Sequence, residues 1–287
     1  MSIQDIVQLF LKISLLLMVF SLGLGTRIED LIYLARRPRL LIRSLLVINV
    51  IVPLVGAGLI SLFPLPMEVK IAVITLSVSP LPPLMPRKAV RSGGDGSYGM
   101  GLLLVVAVLA VVLVPVSVTV LGKVFGRDAG ISWLKVAIIM AQAVLAPVLA
   151  GVAVARFVPK IAAFIDRPIR IAAPFLLFLA LVPVMVKLGP TVLALIGTGA
   201  FLALSAFILA GIGAGHLMGG PAPADRAVLA LAAASRHPGI AMAIAAANFP
   251  NAKSATAVII LYLVLNTFVA FPYAWICRRV YGAQAEV

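Results

Sequence analysis

An arginine and a histidine stand side by side in an otherwise apolar stretch of this chain, AAASRHPGIAMA at 232–243. Pro238 and Gly239 follow them directly. A guanidinium can bind an anion or carbonyl oxygens, and an imidazole can carry a proton near neutral pH. The Pro-Gly pair breaks a helix, and the next helix then begins with free N–H groups and a partial positive charge that suit a carboxylate. We therefore predict a binding site at Arg236, His237, Pro238 and Gly239.

The composition excludes a soluble domain. Of the 287 residues, 63% are hydrophobic, and the mean hydropathy is +1.20, more apolar surface than a soluble fold can bury. The net charge of +14 lies between apolar runs, and aromatic residues make up only 7%, so membrane topology explains it better than nucleic-acid binding. The single cysteine allows no intrachain disulfide. We predict an all-α polytopic membrane protein with membrane lipid and no nucleic acid as partners.

No sequence motif predicts a cofactor. The Gly-rich segment SGGDGSYG at 92–99 lacks the lysine of a phosphate-binding loop, so we predict a flexible turn there. The first apolar run contains Lys12 and lacks a cleavage site, which favours a retained first helix over a signal peptide.

Nine apolar runs approach the length of about 20 residues that a membrane span needs. The third is interrupted by SPLPPLMPRKAV, and no straight helix survives its four prolines. The eighth is interrupted at Pro238. The predicted spans are 7–25, 40–63, 69–92, 97–122, 132–157, 169–187, 190–217, 226–248 and 254–277.

The loops between these spans differ in charge. Fifteen lysines and arginines fall on one set of loops and seven on the other. The positive-inside rule then places the N-terminus outside and the C-terminus in the cytoplasm, in the inner (plasma) membrane. Arg236 belongs to neither set. It lies ten residues after Arg226, the start of its span, which is about 15 Å along a helix and half of a ~30 Å hydrocarbon core. We expect Arg236 near the membrane midplane.

Two interrupted spans that run in opposite directions are typical of transporters built from inverted repeats, with the substrate site where the breaks meet. Two ordinary proline-kinked helices are the alternative, although four clustered prolines are unusual for a kink.

The stretches SLGLGTRIEDLIYLARRP and SRHPGIAMAIAAANF, together with the Pro-rich break, resemble the bile acid/sodium symporter family and, more distantly, auxin efflux carriers. The resemblance extends from about residue 7 to about residue 280. It implies a first repeat of four helices in 1–127, with the first repeat helix missing, and a second of five in 128–287. It also implies a panel domain and a core domain in which two discontinuous helices cross.

The same resemblance implies a secondary transporter of a small organic anion, with a carboxylate favoured, that works by alternating access. Besides the residues around Arg236, we expect the substrate site to include residues of the first break and one polar residue of the last span: Ser79, Pro83, Met85, Pro86 and Asn266.

The chain departs from the family where the sodium-coupled members bind sodium. A glutamate and a glutamine of the late break align with Ala232 and Arg236, and a serine and an asparagine of the early break align with Met85 and Pro86. We also expect all nine acidic residues to lie at termini or in loops, so that no carboxylate remains in the membrane core. These departures predict sodium-independent transport.

Several roles stay open at this stage. Arg236 would either take the place of the lost sodium, by holding unwound carbonyls, or contact the anion, because an idle intramembrane arginine is costly. His237 would carry a proton or be a hydrogen-bonded structural residue. Arg87 and Lys88 would line a cytoplasmic vestibule or reach the site, and Asn266 would bind substrate or join helices.

Two other functions remain as alternatives. One is a sodium-coupled symporter of organic anions or bile acid-like substrates with altered sodium sites. The other is an intramembrane enzyme, which we do not expect, because the only histidines, His216 and His237, have no buried acid nearby in the predicted topology.

Overall fold

The computed structural model describes residues 3–124, 133–195, 197–249, 252 and 254–281. Every regular element in these ranges is helical, as predicted. The helices are α1 (Ile3–Gly25), α2 (Ile28–Ala35), α3 (Pro38–Leu46), α4 (Val52–Leu62), α5 (Met67–Val78), α6 (Met85–Arg91), α7 (Gly96–Val124), α8 (Trp133–Met140), α9 (Ala146–Phe157), α10 (Pro159–Ala194), α11 (Ala200–Met218), α12 (Pro223–Ala234), α13 (Pro238–Asn248) and α14 (Ala255–Tyr281). Single π-helical turns, Val47–Ile51 and Ala141–Leu145, join α3 to α4 and α8 to α9.

Seven helical segments of the described chain are long and apolar enough to cross a membrane. They correspond to seven of the predicted spans: Pro38–Leu62, Gly96–Val120, Val136–Phe157, Pro159–Lys187, Ala200–Met218, Pro223–Asn248 and Ala255–Val280. Of the other two predicted spans, the first corresponds to α1, whose apolar part is the shorter Leu9–Gly25, and the third to the pair α5 and α6. The total of nine spans stays a prediction.

Two of the predicted boundaries were wrong. The sixth span was expected to begin at 169 and the seventh at 190, whereas α10 runs without interruption from Pro159 to Ala194 and α11 begins only at Ala200. Pro190 lies inside α10 and does not end it. The turn comes at Gly197 and Gly199, which both adopt the left-handed conformation that favours glycine.

The expectation for the acidic residues was also wrong. Several of them lie inside helices, among them Asp166 in α10 and Asp225 in α12. Asp225 is buried, with its Oδ1 accepting a hydrogen bond from the Tyr33 hydroxyl at 2.9 Å and its Oδ2 pairing with Arg37 at 3.3 Å. It occupies the first turn of α12, where the helix dipole favours an acidic side chain. No acidic side chain within the described residues contacts Arg236.

The helices pack in two groups. In the first, which we call the panel, α1 packs against both α9 and α10, and α8 continues into α9 through the π-helical turn. In the second, which we call the core, the broken pair α5 and α6 and the broken pair α12 and α13 pack with α4, α7, α11 and α14. The panel meets the core mainly where α8 lies along α7 and where α10 contacts α14. The assignment of these two groups to the expected panel and core domains stays a prediction.

A glycine seam brings α11 and α12 unusually close together. Glycines one turn apart on α11 face the backbone of α12, so that a Cβ atom at Gly215 would lie 2.5 Å from the Cα of Ala230. At Gly219, a Cβ atom would lie 2.5 Å from the Cα of Arg226. Small residues permit this approach, which membrane helices use to gain van der Waals contact. The seam fixes the position of α12, the helix that ends beside Arg236.

We expect Gly215→Ala to destabilise the protein by about 1–3 kcal/mol, because the added methyl would collide with backbone that cannot move aside. The measurement is the apparent melting temperature of the purified protein in detergent. Gly213→Ala is the matched control on the same helix, since a Cβ atom there would meet nothing within 4 Å. Equal melting temperatures for the two variants would contradict close backbone packing at the seam.

Candidate functional site

The two interrupted spans meet at their breaks. Helix α5 ends at Val78 and α12 ends at Ala234. The backbone N–H of His237, in the second break, donates a hydrogen bond to the carbonyl of Pro80, in the first, at 3.0 Å. The two breaks therefore lie against each other, and the crossing of the two helices at a substrate site stays a prediction.

Arg236 is buried at this junction, with 2% of its surface exposed. Its Nη1 donates to the carbonyl of Ser79 at 3.2 Å, and its Nη2 donates to the carbonyl of Ile48 at 3.2 Å. Its Nε has no partner among the described residues. One guanidinium thus connects three segments: the second break, the end of α5 and the π-helical turn between α3 and α4.

Prolines leave both of these carbonyls without a helical donor. The carbonyl of Ser79 would normally accept from residues 82 and 83, but both are prolines and carry no N–H. The carbonyl of Ile48 would accept from Val52 or Pro53. Val52 donates to Val47 instead, across the π-helical turn, and Pro53 has no N–H. Unpaired carbonyls are costly in a membrane interior, and the guanidinium satisfies both.

Tyr262 of α14 completes the junction. Its hydroxyl donates to the carbonyl of Ala234 at 2.6 Å and accepts from the backbone N–H of Arg236 at 2.7 Å. The Ala234 carbonyl needs this donor because Pro238, four residues later, has no N–H. Sequence reasoning missed Tyr262. The available signal was a tyrosine in the middle of a predicted span, away from the membrane interfaces where tyrosine is enriched.

His237 caps the helix that follows the second break. Its Nδ1 accepts the backbone N–H of Ile240 at 3.4 Å, and the side chain is 3% exposed. The structure therefore gives the imidazole a local structural partner. Proton transport by His237 stays a prediction.

The other predicted site residues lie at the first break, on α14 or in the lining of a cavity. Ser79 contributes its carbonyl, while its hydroxyl donates to Leu76 at 2.8 Å. Met85 and Pro86 begin α6 and are buried. Asn266 lies one helical turn after Tyr262 on α14, and its Oδ1 is buried without a partner among the described residues. The remaining residue, Pro83, lines a cavity.

This cavity, of about 670 Å³, lies between α1 and α10 of the panel and α6 and α7 of the core. Its lining includes Pro83 and Pro86 of the first break and the predicted vestibule residue Arg87, but not Lys88. The second break does not line it. A Cβ atom at Gly239 would lie 2.7 Å from a methyl group of Leu15 on α1, so the panel covers the second break directly.

A sequence model of the sodium bile acid symporter family matches residues 12–195, more than half of the chain. The chain therefore belongs to that family. Comparison with curated proteins found no match. Family and fold together define a multi-pass membrane protein and a secondary transporter of organic anions. The matched residues include the first break and every residue that lines the cavity, and they end before Arg236 and Tyr262.

We expect Arg236→Gln and Tyr262→Phe to lower the apparent melting temperature, because each leaves buried backbone groups without a partner, at about 1–3 kcal/mol per group. Lys187→Gln is the control, since it removes an exposed charge from another membrane helix. The measurement is thermal unfolding of the purified proteins. Melting of all three variants at the wild-type temperature would contradict a structural role for the junction.

Proposed function

We propose that this chain is a sodium-independent secondary transporter of a small organic anion, with a carboxylate as the charged group, and not an enzyme. Transport would proceed by alternating access as the panel and the core move relative to each other. The observation that carries the proposal is the buried guanidinium of Arg236, which donates to two carbonyls that prolines have freed.

Sodium independence rests on what these carbonyls would otherwise do. In transporters with broken helices, unwound carbonyls coordinate the coupling cation. Here the guanidinium of Arg236, a cation that belongs to the chain itself, already donates hydrogen bonds to them. The positions that align with sodium-binding side chains are also poor ligands, since Ala232, Met85 and Pro86 offer no side-chain oxygen. A sodium ion beside Arg236 would moreover be repelled strongly in this dry interior.

The anionic substrate is supported by the cavity and by the second break. The cavity has a volume typical of sites for small organic molecules and combines arginines with apolar side chains. Deeper in the protein, α13 begins at Pro238 with an N-terminus suited to a carboxylate. Leu15 would have to leave Gly239 for an anion to pass from the cavity to this N-terminus, which is the movement that alternating access supplies.

Orientation is part of the proposal. The loops with fifteen lysines and arginines would face the cytoplasm of a cell with the protein in its inner (plasma) membrane, leaving the N-terminus outside and the C-terminus inside. The cavity contains arginines of this loop set, including Arg27 and Arg87, and would open toward the cytoplasm.

We expect uptake into proteoliposomes to be unchanged, within about twofold, when choline replaces sodium, because Arg236 pairs with the freed carbonyls and Ala232 and Met85 offer no side-chain oxygen. The transported probe is the carboxylate that most raises the apparent melting temperature among cholate and smaller monocarboxylates, since ligands stabilise the state they bind. A saturable, severalfold stimulation by sodium would contradict the proposal.

A double variant tests whether sodium binding can be introduced at the second break. Ala232→Glu combined with Arg236→Gln would give the second break the two side chains that the sodium-coupled members carry there. We expect this double variant to be stabilised by sodium and not by choline. Ala232→Glu alone is the control, because the charge of Arg236 would remain at the break and repel sodium.

We propose His237 as the carrier of a coupled proton. His237→Asn should keep anion binding, because asparagine is also a good N-cap, but it should lose any acceleration of uptake by an inward proton gradient. The measurement is uptake with and without an imposed pH difference. His237→Ala is the control for loss of the cap. A full response to the gradient in His237→Asn would exclude His237 as the proton carrier.

A further inference from the structure

One face of the membrane-spanning segment Pro38–Leu62 is basic near the start of the segment and apolar beyond it. It consists of Arg39, Arg43, Leu46 and Val50, at spacings of four, three and four residues. Such spacings place side chains on the same face of a helix. All four residues are exposed. The face therefore offers guanidinium groups first and apolar side chains next, in the order in which a phospholipid carries its phosphate and its acyl chains.

A second span brings another arginine to the same place. The Nε of Arg226, in the first turn of α12, donates to the carbonyl of Gly220 at 2.7 Å. A Cβ atom at Gly220 would lie 4.0 Å from the Nη1 of Arg43. Arg43 and Arg226 therefore approach the same turn, between α11 and α12, and the starts of their two spans lie on the same side of the protein.

The depth of these arginines matches a lipid headgroup. Arg43 lies five residues after Pro38, and Arg226 lies three residues after Pro223, where the apolar segments begin. These separations are about 8 Å and about 5 Å along a helix. The polar headgroup layer is about 5–8 Å deep on each side of the hydrocarbon core. Long arginine side chains near helix ends extend toward this layer.

The protein does not neutralise these charges itself. Within the described residues, Arg39, Arg43 and Arg226 form no ion pair. Asp225 is next to Arg226 in the chain, but it pairs with Arg37 instead. Clusters of arginines beside a membrane span are typical of sites for anionic lipids.

We propose that Arg39, Arg43 and Arg226 bind the phosphate of an anionic phospholipid, with its acyl chains along Leu46 and Val50. None of these residues lines the cavity, and the inference does not depend on the proposed transport function. The apolar half of the face favours a lipid over a free phosphate. A bound lipid would connect α3 to the turn between α11 and α12 and so stabilise the folded core.

The experiment titrates the purified protein, in a neutral detergent, with phosphatidylglycerol and with phosphatidylcholine of the same acyl chains. Native mass spectrometry counts the bound lipids. We expect phosphatidylglycerol to bind roughly tenfold more tightly, because each arginine near a membrane surface adds about fivefold in affinity for an anionic lipid. Arg39→Gln with Arg43→Gln should remove most of this preference. These side chains are exposed, so we expect the double variant to fold. Equal affinities of the wild-type protein for the two lipids would overturn the proposal.

Arg156→Gln with Arg167→Gln is the matched control, because it removes two exposed arginines from the panel and changes the net charge by the same amount. It should keep the preference for phosphatidylglycerol. An equal loss in this control would overturn a local site, since general attraction to a basic protein would then explain the binding.

Arg226 needs two variants, because its side chain also holds the Gly220 carbonyl. Arg226→Gln should weaken phosphatidylglycerol binding by about fivefold, whereas Arg226→Lys, which keeps the charge, should retain it. An equal loss in both variants would remove Arg226 from the site.

Glycerol 1-phosphate distinguishes a lipid from a free phosphate. It carries a phosphate without acyl chains, so we expect it not to displace phosphatidylglycerol at equal concentration. Displacement at equal concentration would overturn the assignment to a lipid.

Discussion

The buried guanidinium of Arg236 is the interaction on which the rest of the structure depends. A membrane interior offers no water to unpaired backbone groups, so a helix can be broken there only if other groups satisfy the freed carbonyls. Prolines free the carbonyls of Ser79 and Ile48, and Arg236 donates to both. Arginine suits this role better than lysine, because its planar group presents several donors in fixed directions. The cost of burying the charge is offset by the carbonyls that it pairs.

Placing that guanidinium requires accurate helix packing. Helix α12 lies against α11 with almost no side-chain volume between the backbones, owing to glycines such as Gly215. At the other end of α12, the buried Asp225 pairs with Arg37 and Tyr33. Tyr262 holds the first residues after the helix from the side of α14. Each contact restricts the position at which α12 ends, and therefore the position of the Arg236 side chain.

The structure separates two cationic regions with different roles. Arg236 is buried in the core, and its guanidinium donates hydrogen bonds to carbonyls of the protein. The arginines of the cavity lie between the panel and the core; Arg87 forms no ion pair within the described residues, whereas Arg170 pairs with Asp166. Leu15 of α1 lies against Gly239, at the second break. In the proposed transport cycle, the buried guanidinium would replace a coupling ion, and the arginines of the cavity would meet water or an anionic ligand.

The sequence by itself determined the class of protein and the position of both breaks. These follow from local properties: apolar length and prolines without N–H groups. For Arg87 the sequence left a vestibule and the site as alternatives, and the structure places it in the lining of the cavity. It misplaced the boundary between α10 and α11, because Pro190 is tolerated inside a packed membrane helix and two glycines mark the real turn.

Only the tertiary structure decided what each group contacts. Tyr262 is 26 residues from Arg236 along the chain, and Ile48 is 188 residues away. Which of many carbonyls or hydroxyls meets the guanidinium depends on the rotation and register of packed helices. Those are set by side-chain volumes summed over whole interfaces, and no local pattern encodes them. Asp225 shows the same limit, since a residue assigned to a loop became buried once α12 packed beside Tyr33.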